Sequence, residues 1–456
     1  MGRYPVIIIG AGIGGLATAA ALSKKGIASL LLEKNAFPGG RCSTRSINGN
    51  PHEIGAIYVG GGVFDHLRND FGLNLPSAQI KCGIRIGRGM VSFPFGFKTV
   101  LQLRACGVPI TELLRMKYKA RALSDPGWFR VHPSVGHIID SLTGNSILRK
   151  VLHTASGLSG TSPYRLPGTY LDENGRVIHY RALNPEYLPS GNAGIAHELL
   201  RLARTHCEVL LNTKVSHIEI HDGIARSVET DKGRYEGRIV VSNTGLKETV
   251  LRLTDSSAWP APYYEEVRNL GDALQVVNVF LTFSRSFALP RGHAVFLMPY
   301  EVHEEFRLLE TGSFPLDSMF VLHVPSNINA GDGATHHATL QFYHPRQMAS
   351  QDSVKRQAER VVRLGLNNLF DGLSQAVIDY IVYDPRRYEE EFGFVPSVFG
   401  VSPDLKYRRF PVKAPVSNLF FAGDSVEPDG PCVAQAFESG LECADRICRE
   451  ISSTGE

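Results

Sequence analysis

A strand, a glycine-rich turn and a helix follow one another near the beginning of the sequence, and this order constrains the fold more than any other feature. The apolar run Val6–Ile9 is short and β-branched, as in a buried parallel strand. Residues 10–15 read GAGIGG, a helical pattern follows as far as Gly26, and Ser29–Leu32 gives a second buried strand. The sequence therefore predicts a βαβ unit that opens a doubly wound α/β sheet.

The glycine turn has the GxGxxG spacing of a Rossmann-like dinucleotide site. Gly10 permits the tight turn, Gly12 lets the backbone approach a pyrophosphate, and Gly15 lets helix and strand pack closely. The helix N-terminus offers N–H groups and partial positive charge to the phosphates. Glu33 ends the second strand about 20 residues after the turn, where an acid accepts ribose hydroxyls and disfavours NADP. NAD and FAD both remain open on this evidence.

Composition excludes several classes of protein. Hydrophobic residues make up 43% and charged residues 20%, so a large core can form, and a net charge of +3 does not suit a dedicated nucleic-acid binder. The seven cysteines are odd in number and lack CxxC or zinc spacing, which favours a reduced intracellular compartment and predicts no metal site. The N-terminal stretch lacks a convincing cleavage site, so a cytoplasmic location is expected.

The chain beyond the second strand resembles a known family. Glu33–Arg41 reads EKNAFPGGR, similar to the extended dinucleotide motif of the FAD-dependent amine oxidase and phytoene desaturase superfamily. The resemblance continues in EIGAIY at 53–58, in NTKV at 212–215, and in LFFAGD at 419–424 with QAFESG at 435–440. Four segments in the family's order form a more specific signal than the glycine turn alone. The resemblance implies noncovalently bound FAD.

By this resemblance, each segment is expected to contribute to the cofactor site. Arg41 would neutralise diphosphate charge, residues 55–58 would lie against the flavin ring, and Val215 would make a backbone contact to the adenine. The expected cofactor-binding residues are Gly10, Gly12, Gly14, Gly15, Glu33, Lys34, Gly40, Arg41, Gly55, Ala56, Ile57, Tyr58, Val215, Gly423, Asp424, Pro431, Cys432 and Val433. The sequence singles out no catalytic residue.

Two interleaved domains are expected. Residues 1–90, 190–250 and 400–456 would form the FAD-binding domain, and residues 91–189 and 251–399 a substrate-binding domain. In the second domain, alternating or apolar runs between Ala273 and Phe342 predict an antiparallel sheet accompanied by helices.

The resemblance implies hydride transfer from a substrate carbon to flavin N5, with desaturation of an apolar, isoprenoid-like or polycyclic small molecule. Residues 424–433 read DSVEPDGPCV and lack the stretch rich in His, Pro and Gly of the best-known bacterial phytoene desaturases, so phytoene itself is not assigned. Cys432 stands where amine oxidases usually present an aromatic side chain. An amine, amino-acid or amino-sugar oxidase, a redox-neutral isomerase or saturase, and a non-enzymatic flavin-binding protein remain alternatives.

Two features of the sequence each admit two interpretations. Residues 93–123 interleave apolar and basic side chains, which is typical either of an ordinary solvated helix face or of peripheral membrane docking, as in carotenoid-modifying relatives. Cys432 at the predicted start of a helix would be either an acidified, reactive thiol or a small apolar filler.

Overall fold

The computed structural model describes residues 3–60, 62–121, 133–168, 185–328, 334–347, 349–397, 400–402, 404, 409–428 and 432–453. Within these ranges the strands are β1 (Arg3–Ile9), β2 (Ser29–Leu32), β3 (Thr44–Ile47), β4 (Asn50–Glu53), β5 (Ala78–Gln79), β6 (Lys81–Ile86), β7 (Gly89–Phe93), β8 (Glu186–Tyr187), β9 (Cys207–Leu210), β10 (Val215–His221), β11 (Ile224–Thr230), β12 (Gly233–Ser242), β13 (Val276–Ser284), β14 (His293–Met298), β15 (Phe320–His323), β16 (Thr335–Tyr343), β17 (Val377–Tyr383) and β18 (Leu419–Phe421).

The described α-helices are α1 (Ile13–Lys24), α2 (Val63–Phe71), α3 (Phe97–Ala105), α4 (Ile110–Ala120), α5 (Val135–Leu142), α6 (Ser146–Gly157), α7 (Ala193–Ala203), α8 (Leu246–Arg252), α9 (Ala261–Arg268), α10 (Val302–Glu310), α11 (Gln351–Arg360), α12 (Leu366–Leu369), α13 (Leu373–Ala376), α14 (Pro385–Phe392) and α15 (Cys432–Ser453). A π-helical turn, Val361–Gly365, joins α11 to α12, and 3-10 turns occupy Ser256–Ala258 and Pro325–Asn327.

The first sheet confirms the doubly wound α/β prediction. Its order is β10-β11-β12-β1-β2-β9, and β18 extends it beside β12. The strands β9, β2, β1, β12 and β18 are parallel, whereas β10 and β11 form an antiparallel extension. The strand β1 is buried from Val6 to Ile9 and β2 over its whole length, because helices cover both faces of such a sheet. The strand β1 thus has neighbours on both sides, which makes its carboxyl end the expected ligand-binding position.

The second sheet has the order β17-β13-β16-β15-β14-β6-β7. Its pairs are antiparallel except β14 with β6, which run parallel. The antiparallel sheet predicted between Ala273 and Phe342 is confirmed, because β13, β16, β15 and β14 pair antiparallel in that order. The strands β6 and β7 join this sheet from an earlier part of the chain, residues 81–93, and β6 reaches β14 by a long crossover instead of a hairpin. The proposed domain bounds stay a prediction.

Candidate functional site

The five parallel strands of the first sheet end at one edge, and the residues that follow them meet there. The amide of Gly10 donates to the carbonyl of Leu32 (2.8 Å), the amide of Asn243 to that of Ile9 (2.8 Å), and the amide of Ala422 to that of Ser242 (3.0 Å). These bonds hold the first residues after β1, β12 and β18 side by side. The carboxyl edge of a doubly wound sheet is where such folds bind ligands.

A cavity of about 760 Å³ opens at this edge and continues between the first sheet and the second. All but two of the residues expected to bind the cofactor line it. Gly15 is not among the lining residues because it faces β1, and Pro431 lies outside the described residues. The structure thus brings together, around one cavity, residues that are as far apart in the chain as Gly10 and Val433. That each of them binds FAD is a proposal.

The glycine turn leaves no space for side chains at Gly14 and Gly15. Gly10 adopts a φ of +95°, which suits glycine. A Cβ placed at Gly14 would lie 2.9 Å from the carbonyl oxygen of Ala436 in α15, and one at Gly15 would collide with the carbonyl oxygen of Gly10. Gly12, with a φ of −69° and a ψ of 173°, precedes α1, whose first amides point into the cavity edge. The turn therefore offers bare backbone donors, as a diphosphate requires.

Glu33 is buried at the end of β2. Its Oε2 accepts from the amide of Ala11 (2.7 Å) and its Oε1 from the amide of Asn35 (2.8 Å). Burial raises the pKa of Glu33, and these two hydrogen bonds act in the opposite direction. Each carboxylate oxygen keeps a second lone pair. Glu33 can therefore accept a sugar hydroxyl without giving up its backbone bonds.

Arg41 and Asp424 form an ion pair across the cavity. Nη2 of Arg41 lies 2.8 Å from each carboxylate oxygen of Asp424, and Nη1 donates to the carbonyl of Ser397 (3.1 Å). The Asp424 side chain is nearly buried, whereas that of Arg41 is one-third exposed. A guanidinium has five N–H donors, so Arg41 can hold Asp424 and still contact a phosphate.

The segment 54–58 is held in place by the buried carboxyl of Glu53. This group accepts hydrogen bonds from the hydroxyl of Thr44 (3.0 Å), the hydroxyl of Tyr187 (3.1 Å) and the amide of Asn192 (3.1 Å). Burial raises its pKa to about 7, although all three donors favour the ionised form. Glu53 itself does not line the cavity, so it acts on the site by fixing the backbone that follows it.

Glu53 should make the folded protein less stable as pH rises. The pKa of Glu53 is about 7 in the folded protein and 4.5 in the unfolded chain. The contribution of its protonation to the free energy of unfolding is therefore complete below pH 4.5 and is lost as the pH rises to about 7. The Glu53→Gln variant lacks this pH-dependent contribution to stability. We expect the wild type to lose about 3 kcal/mol relative to the variant over this range, measured as the free energy of unfolding by denaturant.

The comparison with Glu53→Gln is needed because buried histidines change the free energy of unfolding with pH in the opposite direction. Burial lowers the pKa of His52 to about 4, which destabilises the fold as pH falls. The difference between the two proteins cancels that contribution. A pH-independent difference would show that Glu53 ionises normally in the folded state.

The second sheet supplies an apolar wall to the cavity. Its lining side chains come from four adjacent strands and the residue before one of them: Val276, Val295, Leu297, Met319, Phe320, Val321, Gln341, Phe342 and Tyr343. None of these carries a charge. The hydroxyl of Tyr343 donates to the carbonyl of Gly157 (2.8 Å) and accepts from the amide of Gly160 (3.1 Å), so this ring is fixed and its polar end is already satisfied. The amide nitrogen of Gln341 is likewise bonded to Asn278 (2.9 Å).

Cys432 begins α15 and lines the cavity. Burial, together with the nearby Asp424 carboxylate, raises the pKa of this thiol to about 12. The thiol therefore stays protonated, which argues against the acidified, reactive alternative and favours the role of an uncharged filler. Among the described residues, no cluster of three or more His, Cys, Asp or Glu side chains could hold a metal ion.

Sequence reasoning missed Asn243, which lines the cavity beside the glycine turn. A signal was present in the sequence, because Asn243 comes shortly after the apolar run Ile239–Val241, which is typical of a buried strand. In a parallel sheet that position lies at the same edge as Gly10.

The cavity residues fit FAD. The turn has exposed backbone donors for a diphosphate, Glu33 has spare acceptor capacity for a ribose, and the cavity continues from there to the segment 54–58 and the apolar wall. An extended dinucleotide with an aromatic end can follow this path. Glu33, Arg41 and the backbone of residues 55–58 are the groups that would hold it.

Comparisons with known proteins agree with this geometry. Residues 8–90 match the NAD(P)-binding Rossmann-like domain, and residues 153–448 match the flavin containing amine oxidoreductase family. The chain is 49% identical to the phytoene desaturase of Phycomyces blakesleeanus, over 97% of this chain and 85% of that protein. It is 26% identical to the phytoene desaturase of Fusarium fujikuroi, over 93% of this chain and 86% of that protein. An oxidoreductase from Methanosarcina mazei has the same fold, with a TM-score of 0.69 and 19% identity over 97% of this chain and 100% of that one.

Proposed function

The chain belongs to the flavin containing amine oxidoreductase family, which includes phytoene desaturases, and on that premise we propose that it desaturates an apolar small molecule. It is an FAD-dependent oxidoreductase. The proposed substrate class is an isoprenoid-like or polycyclic compound, in which a C–C bond becomes C=C. The 49% identical relative is a phytoene desaturase, which supports this chemistry without fixing the substrate.

The observation that carries the proposal is the uncharged wall formed by the second sheet. Val295, Leu297 and Val321 present aliphatic side chains to the cavity, and the hydroxyl of Tyr343 is occupied by backbone partners. Such a wall favours a hydrocarbon through the burial of apolar surface. A protonated amine would need a carboxylate beside it to offset its desolvation, and the carboxylates that line the cavity, such as Glu248, Asp272 and Glu389, lie outside this wall.

The protein's contribution to the reaction is orientation of the substrate. Desaturation removes a hydride and a proton from neighbouring carbons; FAD, when bound, would accept the hydride, and the proton would pass to solvent. The fixed ring of Tyr343 and the segment 55–58 would restrict how a flat or elongated substrate lies beside that acceptor. Glu53 keeps this segment rigid through its bonds to Thr44, Tyr187 and Asn192.

Anaerobic bleaching of the bound flavin tests the proposal. The holoprotein is mixed, without oxygen, with a panel of isoprenoid hydrocarbons, polycyclic metabolites and simple amines, and the visible flavin absorbance is followed. Bleaching by a hydrocarbon, with a product two hydrogen atoms poorer, is the expected result. Bleaching by amines alone would contradict the proposal in favour of an amine oxidase. Turnover only after prior reduction, with no net oxidation, would instead indicate an isomerase or saturase.

We also propose that α3 and α4 dock this enzyme on a membrane surface that contains its apolar substrate. Six large apolar side chains on or beside these helices are exposed: Phe95, Phe97, Leu101, Ile110, Leu114 and Tyr118. Five exposed basic residues accompany them, namely Lys98, Arg104, Arg115, Lys117 and Lys119. Among the described helices, none combines the length and the apolar character needed to cross a bilayer. Apolar side chains with basic neighbours favour the interface of an anionic bilayer.

Removing two strongly exposed apolar side chains of this surface, one on each helix, should weaken membrane binding. Phe97 is 77% exposed and Leu114 is 61% exposed. We expect Phe97→Ser with Leu114→Ser to reduce co-sedimentation with anionic phospholipid vesicles by on the order of tenfold. Leu316→Ser is the matched control, since Leu316 is 72% exposed but lies outside this surface. Equal sedimentation of wild type and double variant would contradict the proposal, as would a wild type that ignores the vesicles.

A further inference from the structure

Asn243 lies where the two cofactor turns approach each other. It follows β12 directly, and its amide donates to the carbonyl of Ile9 at the end of β1. The residue after Ile9 is Gly10, the first residue of the glycine turn. On the other side, β18 ends beside β12 and leads into Gly423. Asn243 therefore lies between the turn that begins the site and the turn that closes it.

The side-chain amide of Asn243 fills the space that the glycines leave. Its Nδ2 is 3.4 Å from the carbonyl oxygen of Gly10, a long hydrogen bond. A Cβ placed at Gly12 would lie 2.6 Å from Nδ2, and one placed at Gly14 would lie 2.6 Å from Oδ1. A Cβ at Gly423 would be 3.2 Å from Oδ1. One amide thus lies beside both turns, and a side chain at Gly12 or Gly14 would have to displace it.

This amide has hydrogen-bonding capacity to spare. Nδ2 carries two hydrogens, and the carbonyl of Gly10 is the one acceptor for them among the described residues. Asn243 is partly exposed and lines the cavity next to Gly12. A donor at the carboxyl edge of β12, beside the N-terminus of α1, faces the position where a diphosphate is bound in this type of sheet.

We propose that Asn243 donates a hydrogen bond from Nδ2 to a phosphate oxygen of FAD and thereby holds the glycine turn and the Gly423 turn in one register. The inference depends on FAD binding in this cavity. It assigns a cofactor contact to the strand β12, to which neither the glycine motif nor the family resemblance points. This hydrogen bond is electrostatically favourable because the phosphate oxygen that accepts it is ionised.

The test is the dissociation constant of FAD for apoprotein carrying Asn243→Asp, measured by flavin fluorescence quenching between pH 5 and 9. The aspartate keeps the shape of the side chain but replaces the donor with a negative charge. We expect the variant's affinity, taken relative to that of the wild type at the same pH, to fall on the order of a hundredfold at high pH and to recover as the carboxyl is protonated. Asn74→Asp, at an exposed position, controls for a general charge effect.

Asn243→Ala keeps the proposal testable if the aspartate variant does not fold. It should lower FAD affinity on the order of tenfold at every pH while leaving the melting temperature of the apoprotein close to the wild-type value. Wild-type affinity in either variant, or an equal and pH-independent loss in both, would overturn the assigned bond and leave Asn243 as a filler. A wild type that does not bind FAD would instead refute the cofactor site itself.

Discussion

Replacement of Gly12 by valine is expected to give a protein that folds but binds FAD on the order of a hundredfold more weakly. The backbone of Gly12 is extended, with a φ of −69°, so a β-branched residue is not strained there. Its Cβ would approach only the tip of the Asn243 side chain, which can move. The valine methyls and the displaced amide would then occupy the space beside the first turn of α1, where a diphosphate has to lie.

Gly12 is a better test of the site than Gly15. A Cβ at Gly15 would collide with the backbone oxygen of Gly10, so loss of cofactor there could not be separated from loss of fold. The measurements are visible flavin absorbance per mole of purified Gly12→Val and the melting temperature of the apoprotein. Gly144→Val is the matched control, because a Cβ at Gly144 meets no atom within 4 Å. Full flavin absorbance in Gly12→Val would show that the phosphate turn lies elsewhere.

The second large effect is expected at Glu33. Replacement by alanine removes the carboxylate that can accept ribose hydroxyls and leaves the amides of Ala11 and Asn35 without their acceptor. Hydrogen bonds to a charged group contribute about 1.5–3 kcal/mol each, so FAD affinity should fall about tenfold to a hundredfold. Titration of the apoprotein with FAD measures this change.

Two further variants separate the role of Glu33 from general effects of charge. Glu33→Gln keeps one acceptor oxygen and should bind FAD with intermediate affinity. Glu236→Ala removes an exposed carboxylate of β12 away from the carboxyl edge and should bind like wild type. An unchanged affinity in Glu33→Ala would mean that the ribose is bound by other residues.

The part of the fold that the sequence predicts best is the part dictated by local chemistry. Ser29–Leu32 is a strand with the predicted bounds, because an uninterrupted apolar run between a helix and an acid has few alternatives. The glycine turn was placed correctly for a similar reason, since Gly10 needs its positive φ and Gly15 its close contact to β1. At the other end, Leu419–Phe421 is the strand β18, and the helix after it runs from Cys432 to Ser453.

What the sequence did not predict depends on contacts between distant segments. The parallel pairing of β6 with β14 has no local signature, because it joins segments about 200 residues apart in the chain. The protonation state of the Cys432 thiol could not be predicted from the sequence for the same reason. A helix N-terminus would lower the pKa of its thiol, but burial beside Asp424 raises it. Asn243 was overlooked because only strand order places it against Gly10.

The order in which the site's parts occur in the chain has a consequence for biosynthesis. The glycine turn and Glu33 are translated before Gly423 and α15, and Gly440 of α15 packs against Gly14 of that turn and accepts a hydrogen bond from Thr18 of α1. Domains generally fold from the N-terminal side during synthesis. The nascent chain therefore carries an incomplete pocket until α15 has been made, and we expect vitamin B2 status to affect the amount of finished protein in the cell more than the early folding of its N-terminal segments.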